Sequence, residues 1–204
     1  MTMSPEASDL QTKSDRSWGG IAVRIAGRLA RDDFPRGDLA ALRRMSPNSG
    51  REAAAFWRLA ARYELLGAPS IERKWALIIH GIALMTPTAA HDGAGLGAHD
   101  PGTSVGAALF GGNDESSRES GFYSELRLNR LLAARGDVLQ VLLARMFRML
   151  GASGVAFDWR EMVRLILLDG FDQAGAEAAR QRIARDYFRA EFRAERQAAG
   201  TANQ

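Results

Sequence analysis

Residues 71–85, with the sequence IERKWALIIHGIALM, decide the fold class of this chain. From Trp75 to Met85 the segment is apolar on nearly every side, apart from His80. A helix of this kind is buried in a protein core. The apolar run covers 11 positions, about half of the roughly 20 that a transmembrane helix requires. The segment therefore predicts a core helix, in which His80 is a hydrogen-bonded core residue rather than a ligand.

Apolar residues recur at helical spacing on both sides of this segment, and β-branched residues are sparse. This periodicity predicts an all-α fold with about eight helices, arranged as one compact bundle or as two small lobes. The predicted helices cover residues 18–32, 38–45, 51–66, 71–85, 122–134, 137–150, 159–168 and 173–196, with a further short helix at 104–110.

Residues at the helix boundaries supply start and stop signals. The predicted N-caps are Asp38, Ser70, Asp137 and Asp158, and Glu161 is expected to form a capping box with Asp158. Gly67 and Gly170 are expected just after the ends of the third and seventh helices. The last helix is expected to bury Ile183 and Phe192, together with either Tyr187 or Phe188.

The remaining segments suggest how the chain is organised. Residues 1–17 have no apolar signal region and are expected to form a disordered arm, and 197–204 a disordered tail. Residues 18–196 form the predicted helical domain. Within it, residues 86–121 are rich in Gly, Asp, Ser and Pro and predict a long surface loop or a partly disordered insertion.

Composition excludes several classes of protein. The chain has 204 residues, a mass of 22.2 kDa, 46% hydrophobic and 25% charged residues, as in soluble globular proteins. Because it has no cysteine, a disulfide framework, a thiolate metal site and a cysteine nucleophile are excluded. These features fit a reducing compartment, and we expect a cytoplasmic protein.

Known catalytic motifs are absent from the sequence, or occur without the secondary structure that such motifs require. There is no phosphate-binding loop ending in Gly-Lys-Ser/Thr and no Gly-x-Ser-x-Gly elbow. The Gly-rich stretch 93–97 follows no predicted strand. The pairs His91-Asp92 and His99-Asp100 could offer metal ligands, but they occupy a predicted loop with no rigid scaffold. We therefore predict no enzyme activity, no metal and no cofactor.

Arginine dominates the basic residues, accounting for all but Lys13 and Lys74 of the 27. Positive charge concentrates in residues 21–62 (+5) and 118–148 (+3). Seven arginines are candidates for contact with a phosphate backbone because they recur near helix ends or at i, i+3 spacing: Arg43, Arg44, Arg127, Arg130, Arg135, Arg145 and Arg148. If the helices at 122–134 and 137–150 pack antiparallel, the last five could line one positive strip. The alternative is that they are ordinary solvated charges.

Six segments in a fixed order resemble one known family. They are GDLAALRR at 37–44, AFWRL at 55–59, SVGAAL at 104–109, SELRLNRLLAAR at 124–135, FDWREM at 157–162 and LILL at 165–168. With this order, which covers roughly residues 18–192, the chain resembles the CasB family, the small subunit of the type I-E CRISPR surveillance complex Cascade.

This resemblance implies an all-α, non-catalytic subunit that acts in antiviral defence. It implies partners of several kinds: the backbone, large and guide-processing subunits, a second copy of the chain, the CRISPR RNA and target DNA. The family helps to stabilise the R-loop by guiding the displaced non-target strand, and the seven arginines above occupy the matching positions. No membrane contact is implied.

Two other functions remain open from the sequence. A helical interaction scaffold would use its apolar faces to bind partner helices without touching nucleic acid. A helix-turn-helix repressor would bind one duplex sequence tightly, and the turns at Gly67 and Gly136 are the only hints of it.

Overall fold

The computed structural model of the chain describes residues 18–46, 52–87, 97–111 and 121–201. In these ranges the chain forms nine α-helices and an isolated parallel bridge between His99 and Phe157. The helices are α1 (18–29), α2 (Arg36–Arg44), α3 (Ala54–Arg62), α4 (Pro69–Met85), α5 (Val105–Gly111), α6 (Glu125–Ala133), α7 (Gly136–Ala152), α8 (Trp159–Leu168) and α9 (Gln173–Thr201). The predicted all-α fold is confirmed. None of these described helices is both long and apolar enough to cross a membrane.

Helix α4 occupies the centre of the core, as the sequence predicts. All residues from Trp75 to Ala83 are buried, and α4 packs against α2, α3, α7 and α8. His80 is buried with them, and its Nδ1 lies 2.9 Å from the carbonyl oxygen of Leu42, to which it donates. The prediction that His80 is a satisfied core residue is confirmed.

A glycine lets α4 approach the rings of α7 and α8. Phe147, Phe157 and Trp159 form an aromatic cluster with ring centroids 5.0 to 6.4 Å apart. A Cβ atom on Gly81 would lie 2.5 Å from the Phe147 ring and 2.8 Å from Trp159. Any side chain there would collide with the cluster, so Gly81 is what allows these helices to pack closely.

Part of the predicted surface loop belongs to the core. Residues 88–96 and 112–120, including His91, Asp92 and all of the Gly-rich stretch except Gly97, lie outside the described residues. By contrast, Ala98, Val105 and Leu109 are fully buried, and the predicted short helix exists as α5, packed mainly on α9. The surface-loop prediction is wrong for residues 97–111. The apolar residues of this segment are interspersed among turn-forming residues, and the turn-forming residues dominate its composition.

The predicted capping box is half correct. The Asp158 carboxylate accepts a hydrogen bond from the Arg160 N–H at 3.0 Å and caps α8. The Glu161 side chain does not accept from the Asp158 N–H, which donates to the Thr103 carbonyl at 2.8 Å. Its carboxylate instead accepts from the N–H of Val105 at 3.0 Å, at the start of α5. Burial raises the pKa of Glu161. The side chain therefore caps a neighbouring helix, which local sequence spacing cannot reveal.

Three other predicted N-caps are wrong. Helices α2, α4 and α7 begin after Pro35, Ala68 and Arg135, so Asp38, Ser70 and Asp137 all lie inside the first turn. Asp38 pairs there with Arg58 at 2.6 Å. Proline explains the shift in α4, since Pro69 has the backbone angle of a first helical residue and moves the start upstream of Ser70.

Helix α3 ends without the predicted glycine. Its left-handed C-terminal residue is Glu64, with φ of 56°, and the N–H of Leu65 bonds to the carbonyl of Ala60 at 2.8 Å in a Schellman arrangement. Gly67 lies beyond this turn, so its predicted role is wrong. Gly170, with φ of 75°, does follow the end of α8 as predicted.

Helix α9 is longer than predicted, and only its first half is buried. Ile183 and Tyr187 are enclosed, whereas Phe188 and Phe192 are 41% and 59% exposed. The prediction that Phe192 is buried is therefore wrong. Helices α5 and α8 cover the earlier turns of α9, and no residue from 188 to 200 is buried.

A buried ion pair joins α8 to α9. The guanidinium of Arg180 lies 2.5 Å from the carboxylate of Asp169, and both residues are buried. The carboxylate also accepts from the N–H of Gly136, at the start of α7. Lys74 of α4 donates to the backbone oxygen of Asp169 at 2.7 Å. Four helices thus meet at this one residue.

Asp169→Ala is expected to lower the free energy of unfolding by about 3–5 kcal/mol, because Arg180 would remain buried with only the more distant and exposed Glu177 as a counter-charge. Urea unfolding measures this loss. Asp38→Ala, which breaks the more exposed pair with Arg58, is the matched control and should cost less than about 1 kcal/mol. Equal losses in the two variants would contradict the structural importance of the buried pair.

Acid should destabilise the fold through His80. Burial lowers the pKa of His80 below its ordinary 6.5, so below about pH 6.5 the unfolded chain binds a proton that the folded chain does not. Stability is therefore expected to fall as the pH drops from about 7.5 to about 5.5.

The His80→Asn variant tests this expectation, since asparagine can still donate to the Leu42 carbonyl but does not titrate. Urea unfolding of this variant should show a smaller loss between the same two pH values. A loss as large as that of the unchanged protein would show that other groups cause it.

Candidate nucleic-acid interface

A groove between α6 and α7 brings three of the seven candidate arginines together. Its volume is about 350 Å³, and it is lined by Tyr123, Arg127, Arg130, Leu142, Arg145, Met146 and Met149. We call this the α6–α7 groove. The arginines come from both helices, so positive charge lies on both of its sides.

The sequence pattern of each helix explains this placement. In α6, Leu128 and Leu131 are buried and leave Arg127 and Arg130 exposed, one turn apart. In α7, Leu139, Leu143, Met146 and Leu150 are among the residues that face the core. Arg145 is exposed on this helix, beside the apolar stripe.

The three groove arginines are available to an external anion. None of them forms an ion pair with a carboxylate in the part of the chain that the structure describes. Arg127 contacts the sulfur of Met149 at 3.9 Å. Free guanidinium groups offer paired donors that match the geometry of a phosphate.

The floor of the groove is apolar, and its tyrosine is held in place by the backbone. Tyr123 is buried, its N–H donates to Leu109, and its carbonyl accepts from the hydroxyl of Tyr187 at 2.9 Å. Burial raises the pKa of the Tyr123 phenol, and the nearby charge of Arg127 partly opposes this rise. The sequence analysis did not predict this floor. The apolar stripe of α7 is the sequence pattern that indicates it.

Arg44 and Arg148 are exposed but do not line the groove. Arg148 is close enough to His80 to lower the pKa of that histidine, although burial has the larger effect. Arg148 therefore lies on the part of α7 that is near α4.

Arg43 and Arg135 make structural contacts. The Arg43 Nε–H donates to the carbonyl of Ala83 at 2.8 Å, and its guanidinium also donates to the carbonyl of Thr86, so it satisfies the C-terminal end of α4. Burial lowers the pKa of Arg43. Arg135 donates to two carbonyls at the end of α6 and pairs with Glu177 of α9 at 3.0 Å.

His99 and Asp100 form local hydrogen bonds and do not cluster with other potential metal ligands. The Nδ1 of His99 accepts from the Trp159 N–H at 3.3 Å and lies 3.7 Å from the Asp158 carboxylate. Asp100 accepts from Gly102 and Thr103 in its own turn. Among the described residues no three potential metal ligands form a cluster.

A comparison with protein families assigns the chain. The family model described as CRISPR-associated protein Cse2 matches residues 38–188. The chain belongs to this family. Its members are the CasB small subunits of type I-E Cascade, so the resemblance inferred from the six sequence segments is confirmed. The matched region begins in α2 and ends in α9, and it includes the α6–α7 groove. Neither a curated protein nor a solved structure matches this chain.

Arg43→Ala is expected to destabilise the fold, because the Ala83 and Thr86 carbonyls lose their side-chain donor. A loss of about 1–3 kcal/mol in the free energy of unfolding is expected from urea unfolding. Arg44→Ala removes the same charge from the next, exposed position and should change stability by less than about 0.5 kcal/mol. Similar stability of the two variants would contradict the structural role of Arg43.

Proposed function

We propose that this Cse2 family protein is a non-catalytic subunit of Cascade that holds the displaced non-target DNA strand and so stabilises the R-loop. The α6–α7 groove carries the proposal, because three arginines without carboxylate partners among the described residues converge on it. Family membership supports the Cascade setting. The target of these arginines is the phosphate backbone, so the binding does not depend on sequence.

A modest contact suffices for this function. Forming an R-loop exchanges a DNA duplex for an RNA–DNA duplex of similar stability, so the balance is close to even. Protein contacts that bind only the displaced strand favour the open state by their full binding free energy. The groove needs no chemistry beyond charge and position to act in this way.

The other Cascade subunits, the CRISPR RNA and a second copy of the chain are its proposed partners. Phe188 and Phe192 support a protein contact, because two large exposed aromatic residues one turn apart on α9 are typical of an interface. This observation also favours the alternative function, a helical scaffold that binds proteins without nucleic acid.

Replacing Arg127, Arg130 and Arg145 together by alanine separates these two functions. The variant should bind single-stranded DNA more weakly, and the slope of log affinity against log salt should shrink by about 2, at roughly 0.7 per lost phosphate contact. Assembled into Cascade, it should shorten the lifetime of the R-loop. Fluorescence anisotropy over a salt series and an R-loop dissociation assay measure the two effects.

The matched control replaces Arg24, Arg62 and Arg73, three exposed arginines on α1, α3 and α4 that do not line the groove. It loses the same net charge and should keep most of the salt slope. If both triple variants lose affinity equally, the groove has no special role. If neither loses any, the scaffold function is favoured.

A further inference from the structure

The floor of the α6–α7 groove has a chemistry that phosphate binding does not explain. Leu142 and Met149 are half-buried and provide its accessible apolar surface, whereas Met146 is fully buried and Tyr123 is only 6% exposed. A site for phosphate alone requires only charged and polar donors. Apolar surface between cations instead suits the flat face of a nucleobase.

The groove is large enough to hold one base. Its volume of about 350 Å³ is at the lower end of the roughly 300–1,000 Å³ usual for small-molecule pockets. One planar heterocycle fits such a space. A base inside a duplex is stacked and paired, and it must leave the helix before it can enter a pocket.

The groove is preorganised for this ligand. Hydrogen bonds from Tyr123 to Leu109 and from Tyr187 to Tyr123 fix the backbone beside the floor. Arg127 contacts the Met149 sulfur, so its guanidinium lies against the floor as well as at the rim. A guanidinium in that position can stack on a base while its N–H groups remain free for phosphate.

We propose that the α6–α7 groove takes one unpaired nucleobase on its apolar floor while Arg127, Arg130 and Arg145 hold the adjacent phosphates. This rests on the proposed function and adds a basis for choosing single strands: the phosphates give affinity, and the base contact excludes duplex DNA. Neither contact depends strongly on which base is present.

Two oligonucleotides with equal numbers of phosphates test this directly. Fluorescence anisotropy of the full chain compares a thymidine strand with an abasic strand over the same series of salt concentrations. The thymidine strand is expected to bind about 5- to 10-fold more tightly, the lower range for stacking of one base on a protein side chain. Both strands should show the same salt slope.

Replacing the accessible apolar surface of the floor locates the effect. Leu142→Gln should weaken the preference for the thymidine strand and retain the salt slope, because all three arginines remain. Met149→Gln is a second variant in case the first does not fold. Val138→Gln makes a similar change at an exposed position of α7 outside the groove and should leave the preference intact.

The outcomes separate this inference from the proposed function. Equal binding of the two strands, with a normal salt slope, would overturn the base contact and leave strand holding by the arginines standing. A full thymidine preference that survives in both Leu142→Gln and Met149→Gln would also overturn it, since the base contact would lie elsewhere. Binding of neither strand would reject the proposed function itself.

Discussion

Enclosing α4 on every side is the constraint on which the rest of the fold depends. A helix that is apolar all round gains stability only if other elements cover each of its faces, because exposed apolar surface is costly in water. Helices α2, α3, α7 and α8 provide this cover. Gly81 permits the closest approach, where the aromatic rings of α7 and α8 reach the α4 backbone.

This enclosure also positions the groove. Since α7 directs one stripe into α4, its remaining surface has to face α6 or solvent, and Arg145 lies on that surface. Helix α6 is anchored through Leu128 and Leu131 and is fastened at its end by Arg135. The contacts of Arg135 therefore help to hold the helix that carries Arg127 and Arg130. Arginines with similar spacing in the sequence thus have different surroundings in the fold.

The sequence was sufficient for patterns that depend on one helix at a time. It predicted the buried α4, the core role of His80, the cap at Asp158 and the stop at Gly170, all of which rest on local periodicity or local hydrogen bonding. It could not predict contacts between distant segments. The bond from Glu161 to Val105, the pair of Arg180 with Asp169 and the use of Arg43 on α4 each join residues that only the tertiary fold brings together. The groove floor was missed for the same reason.

Helix α9 is held at one end and exposed at the other. Ile183 and Tyr187 are enclosed in its first half, while the stretch from Phe188 to Gly200 extends for about 18 Å without a buried residue. The contact with α5 depends on Gly106, because a Cβ atom there would collide with the α9 backbone at Ile183 and Tyr187. Glu161 ties the start of α5 to α8 in turn. A partner bound to the exposed half of α9 would therefore be joined to the core through α5 and α8.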